Sequence, residues 1–143
     1  MYSKILYATD FDEVGINAAH KAKKIAMENG AELILVHVIE PIPAYAYPGF
    51  AGFAEVEASI KEQADKSMSE LAQELSIDDN HKSIVLGSTK HEVLRIAKEN
   101  NVDLIVAGSH GKHGLALLLG STANAILHGA ECDVLIVRNN EDK

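Results

Sequence analysis

Short, continuous runs of aliphatic residues alternate along the chain with longer stretches of helical spacing. The runs have the length of strands, and their unbroken apolar character is typical of strands that are covered on both faces. They are Lys4 to Ala8, Glu32 to Ile39, Lys82 to Gly87, Asp103 to Ala107 and Asp133 to Val137. The third run is less apolar than the second, which indicates a strand nearer to the edge of a sheet.

The intervals between these runs predict four helices. An apolar stripe from Ala18 to Ala26 indicates the first, and three- and four-residue steps between Glu55 and Leu75 indicate a long second one with a charged outer face. Thr89 and Glu92 have the spacing of a capping box at the start of the third helix, and the fourth spans Ala123 to His128. Strands separated by helices predict βαβ units, so we expect an α/β protein with a parallel sheet and helices on both faces.

Residues 40 to 54 interrupt this regular pattern. The segment contains all three prolines, two glycines and four of the seven Phe and Tyr residues. Long irregular connections are often lids or partner surfaces, but aromatic side chains in such a loop can equally pack against their own domain. The sequence leaves both interpretations open.

The segment with the clearest chemical signal runs from Val106 to Leu127. Two glycine clusters frame it: Gly108, Gly111 and Gly114 follow a strand, and Gly120-Ser121-Thr122 opens the fourth helix. Glycines let a ligand approach the backbone, and the free N–H groups and positive dipole end of a helix N-terminus favour an anion. Ser121 and Thr122 can add hydroxyl donors and cap the helix. This order is typical of phosphate-binding sites, and the alternative is a surface loop with a glycine turn and a Ser/Thr cap.

Polar residues at the ends of the first and fourth strands are expected to face one crevice. In parallel α/β sheets, ligands bind beyond the carboxyl ends of the strands where the strand order reverses. Thr9-Asp10 and Gly108 to Gly111 are the two loops at those ends. Asp10 can accept hydrogen bonds from ribose hydroxyls or, with Glu13 at capping-box spacing, begin the first helix; the two roles are compatible. Val38, at the end of the second strand, can offer backbone N–H and C=O groups to a base edge.

Other kinds of site are less well supported. A GxGxxG motif would follow the first strand, where Tyr7 to Phe11 has no glycine, and Gly120-Ser121-Thr122 lacks the lysine of a P-loop. His110, His113 and His128 are not joined by a cysteine or a carboxylate pair at ligand spacing, so we predict no metal site. The sequence has no GxSxG motif, and we predict no catalytic residues.

Composition and charge limit the kinds of partner and the cellular compartment that we expect for this protein. The 143 residues, 47% of them hydrophobic, fit a single domain over residues 1–143. With 21 acidic against 13 basic residues the formal charge is -8, which opposes nucleic acid or an anionic membrane as a partner. The single cysteine, Cys132, excludes an intrachain disulfide and is expected to be buried rather than reactive. No signal-peptide core or membrane-spanning run is recognised, so we expect a cytoplasmic protein.

These segments together resemble the universal stress protein family. The resemblance rests on GSHGKHGLALLLGSTANAIL, HGAECDVLIVR, KILYATDF and LILVHVIEP, and it runs from about Tyr2 to Arg138. It implies a five-stranded parallel open sheet of order 3-2-1-4-5, of the adenine nucleotide alpha hydrolase-like kind, and a homodimer formed through the last strand, Asp133 to Val137. Members of the family divide into adenine-nucleotide binders and members that bind none.

The resemblance also implies a set of contacts to ATP, with Mg²⁺ as a companion ion that the sequence leaves open. It puts Ala8 and Asp10 near the ribose and base and Val38, through its main chain, at the adenine. Ala107 and Gly108 are implied along the nucleoside. Around the triphosphate the resemblance implies Gly111, Gly120, Ser121 and Thr122.

The glycine segment departs from the pattern of the nucleotide binders at one place. Their pattern has nine residues between the second and third glycines, whereas eight separate Gly111 from Gly120. The shorter interval either re-aims Gly120-Ser121-Thr122 or is absorbed in the Lys112-His113-Gly114 turn. Because the glycines themselves are retained, we expect an ATP-binding regulatory module of the stress response. The alternatives are a nucleotide-free stress or interaction protein of the same fold and, less favoured, a slow ATPase or autophosphorylating enzyme.

Overall fold

The computed structural model describes residues 1–11, 16–41, 52–109 and 120–138. Within these ranges, five strands form one parallel sheet of order β3-β2-β1-β4-β5. In chain order the elements are β1 (Lys4–Ala8), α1 (Ile16–Asn29), β2 (Glu32–Ile39), α2 (Phe53–Leu75), β3 (Lys82–Leu86), α3 (Thr89–Glu99), β4 (Leu104–Gly108), α4 (Ser121–Gly129) and β5 (Asp133–Val137), with a short 3-10 helix, Asp79–His81, before β3. The predicted α/β class and strand order are confirmed.

Helices cover both faces of the sheet. On one face, α1 and α2 pack against a layer that includes Tyr7 of β1 and Leu35 of β2. On the other face, α3 and α4 pack against a second layer that includes Leu6, Val36 and Ile105. The inner strands therefore bury alternate side chains on both sides, which explains why their sequences are aliphatic without interruption.

The predicted strands and helices are present, with small differences at their ends. The second helix begins at Phe53 rather than Glu55, β4 extends to Gly108, and α4 begins at Ser121, two residues earlier than predicted. The third strand lies at the sheet edge, as its weaker apolar character indicated. Most of the segment from 40 to 54, and residues 110–119 between the two glycine clusters, lie outside the described residues.

A helix that crosses a membrane has to be both long and apolar. In the part of the chain that the structure describes, none of the helices meets both requirements.

The start of α3 differs from the predicted capping box. Ser88 occupies the N-cap position, and Thr89 is the first helical residue. The backbone N–H of Thr89 donates to Oε2 of Glu40 at 3.0 Å, so the acceptor comes from the residue after β2. The carboxylate of Glu92 instead binds Arg95, with Oε1 2.6 Å from Nη2. The prediction of a Thr89–Glu92 capping box was wrong, because the N-cap lies one residue earlier, at Ser88, and the carboxylate of Glu92 binds Arg95.

A single carboxylate joins β1 and β4 at the amino edge of the sheet. Asp103 accepts the backbone N–H of Ser3 at 2.9 Å and that of Lys4 at 3.0 Å. Burial of this carboxyl raises its pKa, but the hydrogen bonds from Ser3 and Lys4 outweigh that effect, and the pKa lies below its usual value. The ionised form of Asp103 is therefore favoured by folding.

Replacing Asp103 by asparagine is expected to lower the free energy of unfolding by about 1 kcal/mol at neutral pH, because a charged acceptor of two N–H groups is lost at a partly exposed position. Since the pKa of Asp103 is lowered in the folded state, its stabilisation is present above the usual value of 3.8 and is lost as the pH falls through the folded-state value. Urea unfolding at neutral pH and at about pH 3 measures the effect. The control is Asp65→Asn on the exposed face of α2; a loss at Asp103 that is equally large in acid would contradict this account.

Replacing Glu40 by alanine is expected to lower the free energy of unfolding by about 1 kcal/mol, because the first turn of α3 loses its acceptor. The N–H and the hydroxyl of Thr89 both lower the pKa of Glu40, which indicates that the carboxylate form makes the contact. Amide hydrogen exchange at Thr89 should become faster, whereas Glu62→Ala, on the exposed side of α2, should leave it unchanged. Unaltered exchange at Thr89 in the Glu40 variant would show that the cap is not needed.

Candidate functional site

The chain leaves β1 in a turn that is tied to β2. Thr9 is buried, and its N–H donates to the carbonyl of Val36 at 2.9 Å. Its hydroxyl oxygen accepts the N–H of Phe11 at 3.0 Å, and its carbonyl lies 2.7 Å from Nδ1 of His37. Asp10 lies between these tethered residues and is exposed. The turn therefore holds a carboxylate-bearing residue at the carboxyl edge of the sheet.

The end of β4 and the start of α4 are joined directly. The N–H of Ser109 donates to the carbonyl of Val137 at 2.9 Å, which continues the pairing of β4 with β5. The carbonyl of Ser109 then accepts the N–H of Gly120 at 2.8 Å. Although residues 110–119 are outside the described ranges, the two ends of that segment meet here, and the N-terminus of α4 is held next to the end of β4.

The first turn of α4 offers backbone donors at this edge. Gly120 is the N-cap residue, and the N–H of Asn124 donates to its carbonyl at 3.0 Å. The N–H groups of residues 121–123 precede this first intrahelical bond, and groups in that position have no partner within their helix. Ser121 is exposed and Thr122 is half-buried. The expectation that Ser121 or Thr122 caps the helix was wrong, because the glycine before them takes the N-cap position.

The predicted site residues that the structure describes lie near one edge of the sheet. Since β1 and β4 are neighbours, their carboxyl ends are separated by about 4.8 Å. The positions are half-buried Ala8 and exposed Asp10 after β1, buried Val38 near the end of β2, buried Ala107 and half-buried Gly108 at the end of β4, and Gly120, Ser121 and Thr122 at the start of α4. Gly111 lies outside the described residues.

A cleft of about 510 Å³ opens beside the turn after β1. Its walls include Asp10, Phe11 and His37 on one side and Ser59, Gln63 and Ser67 of α2 on the other. The ring of Phe11 lies on that of His37, with centroids 4.3 Å apart. Neither ring was among the predicted site residues. The signal for His37 was visible, since it is a polar residue inside the aliphatic β2, whereas Phe11 had no local signal.

Metal and thiol chemistry receive no support from the described residues. In those ranges no group of three His, Cys, Asp or Glu side chains could hold a metal ion. His128 is exposed in the last turn of α4, and His110 and His113 lie outside the described residues. Cys132 is half-buried, and burial, followed by the nearby charge of Asp133, raises the pKa of its thiol. The protonated thiol is a weak nucleophile.

Comparison of the sequence with protein families gives a match along almost the whole chain. The model of the universal stress protein family covers residues 1–138. Universal stress protein A homolog 2 of Coxiella burnetii is 45% identical over 139 residues, which is 96% of this chain and 95% of the relative. Universal stress protein MJ0577 of Methanocaldococcus jannaschii is 33% identical, again over 96% of both chains.

Solved structures agree with the sequence relatives. The structure of MJ0577 superposes with a TM-score of 0.84 at 31% identity and covers 99% of both chains. A universal stress protein in complex with cAMP superposes with a TM-score of 0.66 at 26% identity, over 97% of this chain and 98% of that one. The family match, the sequence relatives and the shared fold lead to one conclusion: this chain belongs to the universal stress protein family.

Proposed function

We propose that this chain binds an adenine nucleotide, ATP in the first place, and acts as a regulatory module of the stress response. The observation that carries the proposal is the meeting of two polar elements at one edge of the sheet. The turn that bears Asp10 follows β1, and the N-terminus of α4 is hydrogen-bonded to the end of the neighbouring strand β4. In open parallel sheets this is the position where nucleotides bind.

The chemistry of the two elements suits the two halves of a nucleotide. A carboxylate such as that of Asp10 accepts hydrogen bonds from ribose hydroxyls, and the N–H groups at the start of α4 donate to phosphate oxygens. The hydroxyls of Ser121 and Thr122 add donors at the same end of the helix. In this proposal Ala8, Ala107 and Gly108 line the nucleoside, the main chain of Val38 contacts the adenine, and Gly111 completes the phosphate site.

The net charge of the protein determines at which distance a nucleotide could be attracted to this site. At a formal charge of -8, the protein repels a polyphosphate at long range, so attraction must come from oriented N–H dipoles at short range. A Mg²⁺ ion in such a complex usually keeps several waters and is bound by the substrate phosphates and one or two carboxylates. We therefore propose that Mg²⁺ strengthens ATP binding by neutralising part of the phosphate charge.

The relatives support a nucleotide as the class of ligand. A family member of the same fold, 26% identical to this chain, was solved with cAMP, an adenine nucleotide with one phosphate. The regulatory role follows from linkage, because a bound nucleotide stabilises whichever conformation it prefers and so changes the surface that a partner meets.

ATP with Mg²⁺ is expected to raise the melting temperature of the purified protein. At a ligand concentration of about 100 Kd, binding adds about 2.7 kcal/mol to stability, which for a chain of this size is a shift of roughly 5–10 °C. Asp10→Ala should weaken ATP binding by about ten-fold or more, because a charged acceptor for the ribose is lost. The measurements are thermal shift and titration calorimetry, with chromatography of the supernatant of denatured protein for nucleotide carried through purification.

The matched control is Asp78→Asn. Asp78 is exposed and precedes the 3-10 helix that leads into the amino end of β3, at the opposite edge of the sheet, so this variant should bind ATP like the unmodified chain. If neither bound nucleotide nor a thermal shift is found, the nucleotide-free alternative replaces this proposal. ATP consumption would instead appear as multiple turnovers that are lost in Ser121→Ala.

We propose in addition that the chain forms a homodimer through β5. This strand pairs with β4 alone among the described strands, so one edge of it offers unpaired backbone groups. The other edge strand, β3, contains Lys82, and lysines are a common device against edge pairing. From Asp133 to Val137, β5 has no lysine, and its residues 134–136 are half-buried.

Sedimentation at micromolar concentration is expected to give twice the mass of one chain. Leu135→Lys, which adds a charge to β5, should yield a monomer, because edge lysines oppose strand pairing. The matched variant is Ile84→Lys in β3, since Leu135 and Ile84 are both partly buried against the same core layer; it should stay dimeric. A monomeric unmodified protein would refute the proposed dimer.

A further inference from the structure

His37 is a polar side chain inside the otherwise aliphatic β2. It follows four buried residues and precedes buried Val38, and its ring is half-buried beside the turn after β1. A polar group in such a place needs a hydrogen-bond partner. The partner is the carbonyl of Thr9, 2.7 Å from Nδ1.

The chemistry of this contact determines where the proton lies. A backbone carbonyl can only accept, so Nδ1 of His37 must carry the hydrogen and donate it. In the neutral imidazole, Nε2 is then the unprotonated nitrogen. The contact thus fixes the tautomer of His37 and gives the carbonyl of buried Thr9 a side-chain donor.

The second contact of His37 is with Phe11, whose backbone is strained. Phe11 has φ of 61°, a left-handed conformation that is unfavourable for a bulky L-residue. Such strain persists only where neighbouring contacts hold it. Phe11 packs against the core layer beneath α1 and α2. In addition, its N–H donates to the hydroxyl of Thr9 at 3.0 Å, and its ring lies 4.3 Å from the ring of His37 at 38°.

The two contacts of His37 fall on either side of Asp10. One holds the carbonyl of the residue before it, and the other holds the ring of the residue after it. We infer that His37 is a positioning residue, which clamps the turn from Thr9 to Phe11 and thereby presents Asp10 to a nucleotide. The inference rests on the proposed function, because it concerns the residue that would accept the ribose hydroxyls.

Two substitutions of His37 distinguish a role for its hydrogen bond to Thr9 from simple filling of space by its ring. His37→Asn keeps an N–H donor close to the position of Nδ1 but has no ring, whereas His37→Phe keeps an aromatic ring but has no donor. If the clamp is correct, His37→Phe should weaken ATP binding about ten-fold or more, because the buried carbonyl of Thr9 loses its partner. His37→Asn should restore most of the affinity, because an unsatisfied buried carbonyl costs more than a lost ring contact. Space filling alone predicts the reverse order, with the phenylalanine variant binding better.

The affinity is measured by titration calorimetry on the full chain with ATP and Mg²⁺, and His91→Asn, an exposed histidine of α3, serves as the control that should bind normally. A second variant, Thr9→Val, removes the acceptor of the Phe11 N–H at nearly constant volume and should also weaken binding. It keeps the inference testable if a His37 variant does not fold. Binding of ATP by His37→Phe or by Thr9→Val with unchanged affinity would overturn the inference.

Hydrogen exchange at the amide of Phe11, measured without nucleotide, distinguishes failure of this inference from failure of the proposed function. Exchange should be faster in His37→Phe than in the unmodified chain and in His37→Asn, because the turn is released. If the unmodified chain binds no nucleotide but exchange follows this order, the proposed function is wrong and the clamp stands. If exchange at Phe11 is the same in all three proteins, His37 does not hold the turn and the inference is wrong.

Discussion

The arrangement of β1 and β4 is the constraint on which the rest of the structure depends. The two strands lie side by side, with Leu6 paired to Ile105 and both side chains fully buried. The helix after β1 packs on the face that contains Tyr7, whereas the helix after β4 packs on the opposite face through Ile126. Because the chain departs in two directions, neither helix covers the carboxyl ends of the strands, and polar groups can lie there without entering the core.

Each of the two edges of the sheet has an aspartate, but the two aspartates have different roles. At the amino edge, the carboxylate of Asp103 is engaged by backbone N–H groups and joins two strands. At the carboxyl edge, Asp10 is exposed, and the contacts that hold its turn come from its neighbours Thr9 and Phe11 and from His37. His37, on the neighbouring strand β2, thus helps to fix the turn that bears Asp10. This is the usual requirement for a preorganised site.

The sequence predicted the helices and strands better than the contacts between distant segments. Strands covered on both faces have continuous aliphatic sequences, so the five strands could be recognised directly, whereas the order of the strands came from the family resemblance. Contacts that a distant segment supplies were missed, such as the one that Glu40 makes with α3. The strain at Phe11 and the clamp by His37 depend on two strands meeting, which no local pattern encodes. At the start of α4, Gly120 replaced the expected hydroxyl cap, and Gly111 stays a prediction.

The hydrogen bond from Gly120 to Ser109 closes the segment 110–119 at its base. Since both ends of that segment meet at one point of the framework, a residue can be lost or gained within it at small entropic cost and without displacing α4. The eight-residue interval between Gly111 and Gly120 is therefore compatible with the position of α4 beside the end of β4. Relatives can therefore differ in the number of residues between these two positions while the sheet beneath them stays the same.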